Sequence, residues 1–242
     1  MTSKIRGAMI YPAFVLCGLG AVGAVMMVFV VPKLTDILIE TGAELPLATR
    51  LLIAFSHFLQ KYWWFLIIII IGLIAGLRIY INRPRGRRIF DFIKLRLPIF
   101  GKLFQRIYLV RFTRSMNTLI MGGVTITESL KIAGGVVSNQ IYRDLIEKTA
   151  EEVEEGNSIS SVFIESKEIP KMVSQMMSIG EKTGKLDIIL ASVTEFYGRE
   201  INNIVANLMT LMEPIIMVIM GIAVGLMVAA VILPMYNLAS NV

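Results

Sequence analysis

Residues 82–114 read NRPRGRRIFDFIKLRLPIFGKLFQRIYLVRFTR, with ten basic residues and a single acid, Asp91. They open the only long polar segment of the chain, residues 82–207, which hangs between two apolar runs. A cluster of Lys and Arg beside an apolar run marks the cytosolic end of a membrane span. On that reading the polar segment is cytosolic and tethered to a bilayer at both ends. The first apolar run then starts in the cytosol, and the loop after it faces outward.

The apolar runs support this. Ala8 to Val31 is almost unbroken, and roughly 20 such residues cross a bilayer as a helix. Pro12 sits near its start, where a missing amide costs least, and Pro32 closes it. Trp63 to Leu77 is shorter, with Tyr62, Trp63 and Trp64 as an aromatic belt at one end and Arg78 able to snorkel at the other. Ile215 to Leu233 is entered through Glu213-Pro214 and closed by Pro234. Between the first two runs, the charges of residues 33–61 balance, Leu45-Pro46-Leu47 breaks the pattern, and Ala48 to Leu59 reads as an amphipathic helix. The first run is longer than a signal h-region and no Ala-x-Ala-like site follows it, so a retained span is expected.

Composition agrees. The 242 residues are 55% hydrophobic and 17% charged, against roughly 45–50% and 25% in soluble domains; the mean hydropathy is +0.70. The net charge of +6 reads as the inside bias of a membrane protein and not as a nucleic-acid footprint, because the basic residues crowd beside a span. One cysteine, Cys17, and one histidine, His57, exclude a disulfide framework, a cysteine metal site and a histidine-paired triad within the chain. No cofactor is expected.

Residues 82–207 show helical period throughout and no useful strand pattern. Leu109, Phe112, Met116, Leu119 and Ile120 form one apolar face, stopped by Gly122-Gly123. Thr125 to Glu128 is a capping-box pattern, and Gly134-Gly135 is expected to end the helix it opens. Ile141, Leu145, Thr149 and Val153 form the next face, ended by Gly156. Ser158 can cap a short helix, Pro170 suits the first turn of another, and Gly180 is expected to end that one. Leu186 to Ile204 then runs at helical period into the third span. The expectation is all-α: a polytopic membrane protein with three transmembrane helices and one cytosolic antiparallel helical bundle. The divisions are a first transmembrane helix with a short cytosolic N-terminus (1–31), an outer loop (32–61), a second transmembrane helix (62–81), the bundle (82–207), a third transmembrane helix (208–235) and an extracytoplasmic tail (236–242).

Four groups of residues invite a functional reading. Arg83, Arg85, Arg87 and Arg88 head the basic stripe. They can grip anionic lipid headgroups, dock an acidic partner, or pair internally with Glu151, Glu152, Glu154 and Glu155. Gly180, Glu181, Gly184 and Leu186 lie in a stretch that invites comparison with a phosphate-binding loop. That comparison fails: Ile179 stands where the first glycine is needed, and Leu186 where a magnesium-reaching hydroxyl is needed. A tight helix–helix turn is the alternative. Glu213 lies at the membrane boundary, where carboxylates are costly; it either marks a kink at Pro214 or meets a transmembrane partner. Gly221 and Gly225, like Gly72 and Gly76, put small residues one turn apart on a span face and permit close helix packing. No metalloprotease, nucleophile-elbow or metal-ligand motif occurs.

Taken together, these residues resemble the inner-membrane platform family of type II secretion and type IV pilus assembly systems (the GspF/PilC family). Ala8-Met-Ile-Tyr11-Pro12 and Val30-Val31-Pro32 look like the family's first-span entry and exit, and Leu45-Pro46 with Thr49 like its outer loop. Pro98 and Gly101-Lys102 match the start of its cytosolic domain. Leu119-x-x-Gly-Gly123-Val124 with Glu128-Ser-Leu130, Gly156-x-Ser158-Ile-Ser160, and Pro170 followed by Gly180-Glu181-x-x-Gly184-x-Leu186 are similar to its helical motifs. Glu213-Pro214 and Pro234 match its last span. The family usually carries two related cytosolic domains, and this chain has the second; a shortened chain, a split gene or a short member would look like this.

The resemblance implies a scaffold without enzymatic activity in the bacterial inner membrane, N-terminus cytosolic and C-terminus extracytoplasmic. Its implied partners are a cytosolic hexameric assembly ATPase, pilin or pseudopilin subunits, other inner-membrane assembly proteins, anionic lipids and further copies of itself, with no nucleic acid. Two expectations compete: a transporter or channel subunit, which would need polar residues inside the spans, where only Glu213 comes close, and a membrane-bound enzyme, which would need a convergent catalytic set that the sequence does not show.

Overall fold

The computed structural model describes residues 2–26, 29, 33, 47–98 and 100–240. Among these residues it is all helix: α1 (Thr2–Val25), α2 (Leu47–Asn82), α3 (Pro84–Arg96), α4 (Phe100–Met121), α5 (Ile126–Val136), α6 (Gln140–Glu154), α7 (Ile159–Glu165), α8 (Lys171–Thr183) and α9 (Leu186–Ser240). The expected exit of the first run at Val30–Pro32 and the break at Leu45-Pro46 lie outside the described residues. The chain divides into two compact units, Gly76–Val205 and Met1–Ala75 with Ala206–Val242.

The first unit is a bundle with a continuous apolar core. Leu109, Phe112 and Met116 of α4 are buried with Leu130 and Ala133 of α5, Tyr142 and Ile146 of α6, Phe163 of α7, Val173 and Met177 of α8, and Leu190, Val193 and Ile201 of α9. Phe112 meets Phe163 edge-on at 5.8 Å, and Tyr108 lies 5.5 Å from Tyr142. α5 packs on both α4 and α6, α7 on α6 and α8, and α3 on α4 and α6. The Thr113 and Thr194 hydroxyls, 2.7 Å apart, join α4 to α9.

Helix ends follow local chemistry where the sequence carries it. α4 stops at Gly122-Gly123, with Gly123 left-handed and the Val124 amide bonded back to the Leu119 carbonyl at 3.0 Å. Thr125 Oγ1 accepts from the Glu128 amide and Ser158 Oγ from the Ser161 amide. Two expected stops are corrected. Gly134 and Gly135 lie inside α5, which runs on to Val136; Gly134 is there because a Cβ would sit 3.3 Å from Ile146 of α6. Gly180 lies inside α8, which continues to Thr183; a Cβ there would meet Ile189 of α9 at 3.0 Å. Glycine permits close helix approach as well as termination, and here the first use prevails.

At the head of the bundle the helix axis turns by 102° between Ile67–Asn82 and Pro84–Arg96. Pro84 opens α3 at a position where no amide is missed. Gly86 makes the turn possible: a Cβ on it would stand 2.0 Å from the Tyr80 carbonyl oxygen.

The second unit is apolar and outward-facing. Residues expected as an amphipathic helix and then a span form the single helix α2, and α9 continues through Pro214 and Pro234 to Ser240. Among the described residues one helix, Leu186–Gly225, is long and apolar enough to cross a membrane, and up to two if the bent pair Ile67–Asn82 and Pro84–Arg96 counts as one span. The described apolar part of α1, Ala13–Val25, is shorter than a crossing needs.

Candidate functional site

The basic stripe separates into tied and untied charges. Lys94 donates to Asp91 at 3.3 Å, Arg106 pairs with Glu200 at 2.8 Å, and Arg111 donates to Ser138 Oγ at 2.9 Å. Arg88 faces Asp144 at 3.5 Å with its side chain 69% exposed, a surface pair worth about 0–1 kcal/mol. Arg83, Arg85 and Arg87 are exposed and form no ion pair among the described residues. Internal pairing of the stripe with Glu151, Glu152, Glu154 and Glu155 is not what the structure has. Glu154 pairs with Lys131 of α5 instead, because the helix carrying the acids presents that end to α5.

Asp91 is the residue the sequence understated. It is 2% exposed, and its Oδ2 accepts the Gln140 amide, the first of α6, at 2.9 Å. The next two amides, of Ile141 and Tyr142, donate to Asn139 Oδ1 at 3.0 and 3.2 Å. The Asn139 side chain in turn donates to the Asp91 carbonyl. A carboxylate from α3 thus closes the positive end of α6, where orphan amides and the helix dipole both favour an anion. The signal was a lone acid in a basic run, together with an Asn ahead of an apolar-periodic segment.

Gly180–Leu186 is a second device of the same kind. Gly184 caps α8 in the left-handed region, φ 68°, and the Lys185 amide returns to the Gly180 carbonyl at 2.9 Å. Leu186 is buried. Glu181 reaches across to α7: its carboxylate accepts the Ile159 amide, and also the Ser160 amide at 3.1 Å. The motif joins α8 to α9 and closes the N-terminus of α7. No strand precedes it among the described residues, so the phosphate-loop comparison fails in three dimensions too.

Among the described residues most buried side-chain polar groups are paired; Arg106 Nε, Asn117 Oδ1 and Arg143 Nε are the exceptions. Tyr142 OH and Gln105 Nε2 both donate to the Glu168 carbonyl at 2.8 Å. Burial, reinforced by the Glu168 charge, pushes the Tyr142 phenol well above its ordinary pKa, and burial raises Tyr108 and Tyr197 as well.

In the apolar unit, Glu213 and Pro214 lie on exposed turns of α9. Around Gly72, Gly221 and Gly225 nothing approaches within 4 Å of a Cβ position. Ile215, Met217, Val218 and Ile222 beside them are half or more exposed. Among the described residues no group of three metal-capable side chains occurs.

The profile of the family described as "Type II secretion system (T2SS), protein F" matches residues 112–234. The "Type IV pilus assembly protein PilC" of Thermus thermophilus is 36% identical over 239 residues, 98% of this chain and 59% of the relative. The protein of the same name in Pseudomonas aeruginosa is 33% identical over 244 residues, covering all of this chain and 65% of the relative. The "Type II secretion system protein F" of Aeromonas hydrophila is 33% identical over 245 residues, covering all of this chain and 62% of the relative. The chain thus spans about three fifths of the length of these relatives.

Proposed function

The chain belongs to the type II secretion system protein F family, and from that premise we propose that it is an inner-membrane platform of a pilus or secretion assembly machine. In this reading it is a scaffold and not an enzyme. Its bundle faces the cytosol and an assembly ATPase, three helices hold it in the bilayer, and the apolar helices receive pilin or pseudopilin subunits on their way into a filament. The observation that carries the reading is similarity along essentially the whole chain to proteins named for type IV pilus assembly and type II secretion.

Three structural features support it. Charged side chains on the bundle are divided into those tied into the fold and an exposed arginine group free for another molecule. One helix, Leu186–Ser240, contains both core residues of the bundle and the apolar window, so a push on the bundle has a continuous element along which to travel. The small-residue faces at Gly221 and Gly225 are open to another apolar helix. The joint at Gly180–Leu186, a fixed point where α7, α8 and α9 meet, is the proposed face toward the ATPase.

The test is filament assembly or secretion in cells whose own copy is replaced. Reversing Arg85, Arg87 and Arg88 to Glu weakens assembly while the protein still inserts, whichever molecule those arginines hold. Glu213→Gln lowers assembly if the carboxylate meets a pilin helix. Full assembly with all four charges altered would refute the platform contacts.

A further inference from the structure

α3 is built inside out. In a soluble bundle the apolar positions of a helix at three- and four-residue spacing face the core. In Pro84–Arg96 the buried residues are Gly86 and Asp91. Ile89, Phe92 and Ile93, spaced by three and one, are 49%, 47% and 49% exposed. Arg85 lies one turn before Ile89 and Arg96 one turn after Phe92, on the same stripe. The Arg96 guanidinium sits 5.2 Å over the Phe92 ring. The apolar edge goes on past the helix with Leu97 and Phe100, 42% and 49% exposed.

We infer that this face lies in the headgroup layer of an anionic membrane, with Ile89, Phe92 and Ile93 in the upper acyl region and Arg85 and Arg96, on the same stripe, reaching the phosphates. Two observations select lipid over a protein partner. The charges that α3 itself places along the apolar stripe are all positive, and the acid at its edge, Asp144 of α6, faces Arg88 at 3.5 Å; the remaining positive charge complements an anionic lipid surface. The preceding helix segment, Ile67–Asn82, is apolar and exposed, and the axis turns by 102° directly after it. A helix that leaves the bilayer and turns through a right angle runs along the surface, where an arginine-flanked aromatic and aliphatic face is stable. The buried Asp91 then fixes α6 to the back of this surface helix. The inference rests on the membrane placement proposed above, but not on the assembly role, and it chooses lipid as the occupant of the arginine face.

The test uses the full chain with Cys17→Ser, carrying one spin label at F92C or at I222C, in vesicles of phosphatidylcholine with phosphatidylglycerol. Collision with oxygen, which partitions into lipid, is compared with collision with a water-soluble nickel chelate. Both labels are expected to favour oxygen, position 92 at shallower depth than 222. Reversing Arg85 and Arg96 to Glu is expected to lower the oxygen-to-nickel ratio at 92 several-fold and leave 222 unchanged. A water-like label at 92 with a lipid-like label at 222 overturns the inference alone, and so does a label at 92 shielded from both reagents, which means protein covers the face. A water-like label at 222 overturns the membrane placement itself. An unchanged ratio at 92 after charge reversal overturns the anionic part.

Discussion

Glycine does opposite work in the two units. In the bundle, Gly86 and Gly180 stand where a single methyl group would meet the Tyr80 carbonyl at 2.0 Å or Ile189 at 3.0 Å. In the apolar unit, Gly221 and Gly225 meet nothing within 4 Å. Polar side chains divide the same way. Asp91 and Glu181 are spent on amides inside the bundle, while Glu213 is exposed. The core of the bundle is closed by its own residues, whereas the apolar helices and the outer face of α3 present surfaces that something else must cover. The platform role proposed above calls for both: a part whose shape is set internally, and a part whose contacts come from lipid or from other chains.

The sharpest way to break this contrast is Gly86→Ala. The methyl group meets backbone and not a movable side chain, so the turn before α3 must open. The expected loss is about 3 kcal/mol, the upper end of the overpacking range, read by denaturant unfolding of the full chain in detergent. An unchanged midpoint would mean the turn is loose and the bundle is not internally fixed there.

Asp91→Ala comes next. It leaves the Gln140 amide and the Lys94 ammonium without their buried partner, and we expect about 2–3 kcal/mol of destabilisation. Asp91→Asn keeps one acceptor oxygen and should recover part of it. Hydrogen exchange at Gln140 is the direct check: in Asp91→Ala it should speed up more than exchange at Ser129, whose amide bonds to the Thr125 carbonyl.

The core tyrosines give a smaller, pH-dependent effect. The Tyr142 pKa is raised above its ordinary 10.0 by burial. Above pH 10 the unfolded chain therefore loses a phenolic proton that the folded chain keeps. Stability from this group is complete below pH 10 and falls as pH rises beyond it, by about 1.4 kcal/mol per pH unit. Tyr142→Phe should make the alkaline fall shallower by that slope, leaving what Tyr108 and Tyr197 contribute. An unchanged slope would show that Tyr142 ionises freely in the fold.

What the sequence revealed follows the reach of each interaction. The caps at Thr125 and Ser158 and the stop at Gly122-Gly123 were legible because donor and acceptor lie within a few residues. Glu181 bonds to amides 21 and 22 residues away, and Asp91 to one 49 residues away. No local pattern encodes those pairings, so Glu181 stood out only as part of a family motif and Asp91 only as an odd acid. Gly134 and Gly180 were misread as stops because the sequence does not show that Ile146 and Ile189 lean on them. The arginine face was visible as charge, but its apolar companions were not: Ile89, Phe92 and Ile93 have the spacing of a core face, and only the fold shows them pointing out.

The smallest effect on stability is the one that tests the other half of the contrast. Gly221→Ala and Gly225→Ala add a methyl group to open space on a helix, where alanine is the better residue by up to about 1 kcal/mol. Unfolding of the isolated chain should therefore be unchanged or slightly harder, the reverse in sign of Gly86→Ala. Assembly should nevertheless fall, because the same methyl groups hold back any helix that packs on the small-residue face, and leucine at either position should lower it further. If these substitutions destabilise the isolated chain as Gly86→Ala does, the face is already packed within the chain and the glycines of the two units do the same work. If stability and assembly both survive leucine at both positions, the open face receives lipid alone, and subunit entry belongs to another surface.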